Sequence, residues 1–133
     1  MKYYLDTNTI VYAVKGNYPG LKERFKKVNA QSIVIPAIVA AEIEYGARES
    51  IDYEKTIALY KRFLEVFPKE SFSDKAASEY GRIRAVLESR GMPIDPNDLM
   101  IAAIVSSNNG ILVTNNEKEF SRIDGLRIEN WTK

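Results

Sequence analysis

The sequence predicts an α/β protein in which a parallel sheet is covered by helices on both faces. Short apolar runs with the look of buried strands alternate with amphipathic stretches of helical period along the whole chain. Its 133 residues suit one domain, 1–133, with a real core, and no linker, repeat or low-complexity tract divides it.

Residues Lys2 to Asp6 read as a short buried strand. Thr7, Asn8 and Thr9 then offer N-cap side chains for a helix through Ile10, Val11 and Val14, which Gly16 ends. Leu21 to Val28 predicts a short basic helix, and Ser32 to Ile35 a second strand. Pro36 suits the first turn of the next helix, on which Ile38, Glu42 and Tyr45 share a face. This places Glu42 inside an apolar stripe. Asp52 to Leu64 is a further amphipathic helix, followed by a short third strand at Val66 and Phe67. A long helix opens near Ser73 and Asp74 and stops at Gly91. Asp95 caps the next, with Pro96 in its first turn and Asp98 on the face of Ile101, Ala102 and Val105. After the turn at Asn108, Asn109 and Gly110, Ile111 to Thr114 forms a strand, and Leu126 to Ile128 is the last, closed by Trp131.

Composition narrows the chemistry. Nineteen Lys and Arg against eighteen Asp and Glu give a net charge of +1, which does not by itself announce a nucleic-acid binder. The basic clusters, around Lys22 to Lys27, at Lys61 and Arg62, and at Arg82, Arg84 and Arg90, read first as solvated helix faces. No apolar run approaches the roughly 18 residues of a membrane span, and the chain opens on a strand pattern rather than a signal peptide, so a cytoplasmic, non-membrane protein is expected. There is no histidine and no cysteine. The usual zinc sites and Ser-His or Cys-His nucleophiles are therefore improbable.

Three carboxylates stand in apolar surroundings: Asp6 ends Tyr3-Tyr4-Leu5, Glu42 interrupts Ile38 to Ile43, and Asp98 opens Leu99 to Val105. A buried ion without a partner costs several kcal/mol, so each must be paired, protonated or bound to a cation. If they converge, an all-oxygen site suits Mg2+ or Mn2+. Strand ends of an open parallel sheet are where ligands gather, and Asp6 lies at one.

The segments Tyr4-Leu5-Asp6-Thr7-Asn8, Ala41-Glu42-Ile43-Glu44-Tyr45-Gly46-Ala47, Gly81-Arg82-Ile83-Arg84-Ala85 with Pro96 to Ala103, and Val113 to Phe120 running into Gly125 to Trp131 together resemble the PIN-domain ribonucleases, specifically the VapC toxins of toxin-antitoxin pairs. The resemblance spans nearly the whole chain. It implies a PIN-like three-layer fold, with a five-stranded parallel sheet between helices, and carries the catalytic, metal-holding acids onto Asp6, Asp98 and Glu42, the last in contact directly or through water. Many relatives have a fourth acid where this chain has Asn116, and Glu119 is its best acidic substitute. Thr114, Asn116, Asn8 and Arg82 are supporting residues. The implied activity is Mg2+- or Mn2+-dependent hydrolysis of an RNA phosphodiester, leaving a 5'-phosphate and a 3'-hydroxyl. The most similar subgroup cuts tRNA in the anticodon region, which makes initiator tRNA the leading substrate. A VapB-type antitoxin, with an apolar segment in a groove beside the site, and a homodimer are the implied partners.

Plainer roles compete at each position. Asp6 can be a helix cap, although Thr7 and Thr9 supply that option. Asp98 can be an ordinary first-turn acid, Glu119 a surface glutamate, and Arg82 a solvent ion-pair partner of Glu79. Two other functions also compete: phosphoryl transfer or phosphatase chemistry with Asp6 as nucleophile, and a degenerate nuclease fold that only binds RNA or protein, for which Asn116 is the chief support.

Overall fold

The computed structural model describes residues 1–133. Its strands are β1 (Tyr3–Leu5), β2 (Ile33–Pro36), β3 (Lys69–Glu70), β4 (Ile111–Val113) and β5 (Arg127–Glu129). The helices are α1 (Thr7–Lys15), α2 (Pro19–Lys27), α3 (Ala37–Arg48), α4 (Tyr53–Leu64), α5 (Asp74–Ser89), α6 (Pro96–Ser107) and α7 (Glu117–Phe120). A single 3-10 turn, Ala30–Ser32, leads into β2.

All five strands run parallel in the order β3-β2-β1-β4-β5. The chain leaves β1 toward one edge through β2 and β3, then returns to the other side through β4 and β5. The crevice between the carboxyl ends of β1 and β4 is therefore the topological switch point, where open sheets of this kind receive ligands. The Asp6 amide extends the ladder there, donating to the Val113 carbonyl at 3.1 Å.

Burial explains the layers. The three central strands are almost wholly enclosed, from Tyr4 and Leu5 through Ile33 to Ile35 to Ile111 to Val113. Helix α6 is buried nearly all round, with Leu99, Ile101 to Val105 and Ser107 inside, because it lies between the sheet and α5. Gly110 is required by packing: a Cβ there would meet the Tyr4 ring at 2.3 Å. Asn109 turns the chain just before it with φ 53°.

The third strand differs from expectation. It lies at Lys69–Glu70, not at Val66 and Phe67. Phe67 is held in the turn that ends α4, its amide donating to the Leu64 carbonyl, while Val66 is 56% exposed. An edge strand is chosen by backbone pairing to β2 and needs no apolar side chains, so hydrophobicity pointed three residues too early. Pro36 likewise ends β2 and caps α3 rather than sitting inside its first turn.

Candidate active site

Asp6 is the residue on which strand meets helix. No loop separates β1 from α1, so the N-cap falls on Asp6 itself, not on Thr7 or Thr9, and its Oδ1 accepts from the Thr9 amide at 2.8 Å. The residue is 6% exposed. Burial pushes its carboxyl up, and hydrogen bonds from Thr114 and Thr9 pull against that rise. The Thr9 hydroxyl also ties α1 to the end of β4 by donating to the Val113 carbonyl at 3.2 Å.

Because Asp6 serves as the cap, the Thr7 hydroxyl is free to act elsewhere. It donates to Glu42 Oε1 on α3 at 2.5 Å. The other oxygen, Oε2, accepts from Asn97 Nδ2 in the first turn of α6 at 3.3 Å. Glu42 thus joins three helices, with both carboxylate oxygens held by neutral donors. Its apolar neighbours are not a core stripe as expected. The core face of α3 is Val39, Ile43 and Ala47, whereas Ile38 and Tyr45 flank Glu42 along an open cleft of about 650 Å³. Tyr45 is 65% exposed, so Glu42 faces water as well as protein.

Asp98 occupies the first turn of α6, one position after Asn97, and Asp95 is the cap, accepting from the Asn97 amide at 3.0 Å. Burial pushes Asp98 up to about 7, and the charges of Glu119, Asp95, Glu42 and Asp6 add to the rise. Three of these acids, Glu119, Glu42 and Asp6, belong to distant parts of the chain, and their charges reach Asp98 only because the fold brings their elements together.

The last acid comes from the segment after β4. Thr114, fully buried, accepts the Asn116 amide on its hydroxyl at 3.0 Å, and Asn116 Nδ2 donates to Glu119 Oε2 at 3.1 Å. Asn116 therefore orients an acid instead of being one. Asn8 lies exposed on the first turn of α1. Arg82 turns to Glu79, donating through Nε and Nη2 at 2.9 and 3.0 Å, so its guanidinium serves an ion pair on α5 rather than a site carboxylate. Arg84 likewise pairs with Glu88. Sequence reasoning left out Thr7 and Asn97 as holders of Glu42. Their only signal was adjacency to Asp6 and Asp98.

None of Asp6, Glu42, Asp98 and Glu119 forms a salt bridge with lysine or arginine. Carboxylate, hydroxyl and amide oxygens, without nitrogen or sulfur donors, suit a hard dication. As they lie, no three acids are grouped closely enough to hold an ion between them.

A three-layer α/β fold carrying an uncompensated acid cluster at its switch point defines a class of candidate hydrolases. Comparison with known proteins narrows it. The family profile described as "PIN domain" matches residues 3–126. The chain is 37% identical over 131 residues to the tRNA(fMet)-specific endonuclease VapC of Salmonella typhimurium, covering 98% of each. It is 39% identical to ribonuclease VapC2 of Haemophilus influenzae, again with 98% of each covered. The solved DNA-bound VapBC complex of Salmonella typhimurium contains a chain that superposes with a TM-score of 0.93 at 37% identity, covering 98% of both. The chain belongs to the PIN-domain family, in its VapC branch of toxin-antitoxin ribonucleases.

Proposed function

We propose that this chain, acting as one PIN domain, is an endoribonuclease that hydrolyses RNA phosphodiesters with Mg2+ or Mn2+. The observation that carries the reading is that Asp98, half-buried and without a basic partner, is pushed up to about 7 by burial and by the charges of Glu119, Glu42 and Asp6 from elsewhere in the chain. Asp6 and Asp98 would hold the ion. Once bound, it supplies Lewis acidity toward water and phosphate and relieves the repulsion among the acids. Glu42, oriented by Thr7 and Asn97, accepts a hydrogen bond from water and aligns it for attack. Glu119, steered by Asn116, adds the fourth acid, whose charge acts on Asp98. No side chain need become covalently attached. Asp6 is a poor nucleophile in this setting, since it is almost fully buried and already caps α1.

Transfer RNA is the proposed substrate, with the initiator species first, because the Salmonella relative is named as tRNA(fMet)-specific. Such a substrate places the action in the cytoplasm; no helix of the chain is long and apolar enough to cross a membrane. A VapB-type antitoxin is the proposed inhibitor, and the similar chain in the Salmonella VapBC complex supports this. The apolar cavity between α1, α2 and α4, about 350 Å³ and lined by Tyr12, Tyr18, Leu21 and Phe63 among others, suits its apolar segment. A homodimer is also proposed. The test is incubation of the chain with total tRNA and Mg2+ or Mn2+, followed by sequencing of the new ends. Ends at one anticodon position, bearing 5'-phosphate and vanishing in Asp6→Asn, are expected. Absence of metal-dependent cleavage defeats the proposal.

A further inference from the structure

Away from the four acids, a cavity of about 260 Å³ with an excess of basic side chains lies between α5 and the segment following α7. Three arginines, Arg82, Arg90 and Arg122, rim it, while Ile83, Val86 and Ile123 contribute to an apolar floor. Arg90 donates to Asp124 at 2.9 Å across the rim, with Asp124 75% exposed. Arg122 donates one N–H to the Pro93 carbonyl at 3.1 Å and has no carboxylate partner. That bond places the cavity beside the segment that leads into Asp95 and Asp98, one turn beyond Glu119 in the chain.

We infer that this cavity is a subsite for one nucleotide of the RNA strand outside the scissile bond. The inference rests on the ribonuclease reading. A cluster of four acids repels the phosphates on either side of the one being cut, so the strand must be gripped by cations next to the cluster. Arginine forks match phosphate oxygens in pairs, and their planes stack on bases. Exposed ion pairs such as Arg90–Asp124 hold weakly enough to exchange a carboxylate for a phosphate. The apolar floor then takes the face of the attached base, which every nucleobase can offer, so the subsite adds affinity without reading sequence.

The experiment titrates dye-labelled, unfractionated tRNA with the full chain in EDTA, which prevents cleavage, at salt from about 50 to 200 mM. The Arg90→Gln/Arg122→Gln double variant should bind about tenfold more weakly and flatten the plot of log affinity against log salt by about one to two. Asp124→Asn releases Arg90 and should tighten binding about two- to threefold with a steeper plot, a change that misfolding cannot produce. Equal slopes in all three proteins, or no binding by the unaltered chain, overturn the subsite. If cleavage of tRNA with manganese occurs while the slopes are equal, only the subsite falls. If the slopes shift as expected but no RNA is cut, the ribonuclease reading falls and the cavity stands only as an RNA-binding site.

Discussion

Replacing Asp98 by asparagine should stabilise the metal-free protein while removing its activity. Burial and neighbouring acids raise Asp98 from the ordinary 3.8 to about 7. A tenfold change in proton affinity corresponds to about 1.4 kcal/mol, so at neutral pH the charged form costs at most about 4 kcal/mol. Solvent reaches this half-buried group and screens the repulsion, which brings the cost to about 2 kcal/mol. For a chain of this length that is about 7 °C in Tm. Between about pH 4 and 7 the folded protein retains a proton that the unfolded chain has released, so stability falls as pH rises through this window and levels off above it. Asp98→Asn removes that dependence. Calorimetric melting in EDTA should show the variant melting about 7 °C higher at pH 7.5 and close to the unaltered protein at pH 4. Excess manganese should reverse the order at pH 7.5, because only the unaltered protein gains from binding, by about 2.7 kcal/mol at a hundredfold excess over Kd. An equal gain at both pH values, or a loss at pH 7.5, refutes the picture of repelling acids.

Two further outcomes follow from the bonds around the cluster. Thr7→Val removes the hydroxyl that holds Glu42 Oε1 and should lower kcat about 10- to 100-fold with little change in KM, whereas Thr7→Ser should retain most activity; a defect confined to KM or to folding would count against this role. Glu119→Gln removes the largest single charge acting on Asp98, so the Asp98 carboxyl should titrate at lower pH by NMR in EDTA; an unmoved midpoint would show that Glu119 lies too far away to belong to the site.

Local signals in the sequence found the layered fold. The buried strands around Tyr4, Val34 and Leu112 and the caps at Ser73 and Asp95 are decided within a few residues, by apolar runs and by side chains that reach their own backbone. Placement failed where local chemistry does not decide. At β3, apolar Val66 and Phe67 outweighed the charged pair Lys69–Glu70 that actually lies beside β2. On α3, helical spacing grouped Ile38, Glu42 and Tyr45 correctly but read that face as an apolar stripe, whereas it borders an open cleft and the core face is Val39, Ile43 and Ala47.

The amino-acid order alone set the expected kind of chemistry: acids placed among apolar residues, in a chain without histidine or cysteine, predict oxygen ligation of a hard cation rather than a zinc site or a histidine-activated nucleophile. Tertiary structure decided how those acids are held and how strongly they repel one another. Thr7 reaches Glu42 across 35 positions and Asn97 reaches it across 55, while the proton affinity of Asp98 depends on Glu42 and Asp6 from distant parts of the chain. Hydrogen bonds and Coulomb repulsion depend on distance in space, which the packing of α1, α3 and α6 against the sheet sets and no local stretch of sequence records.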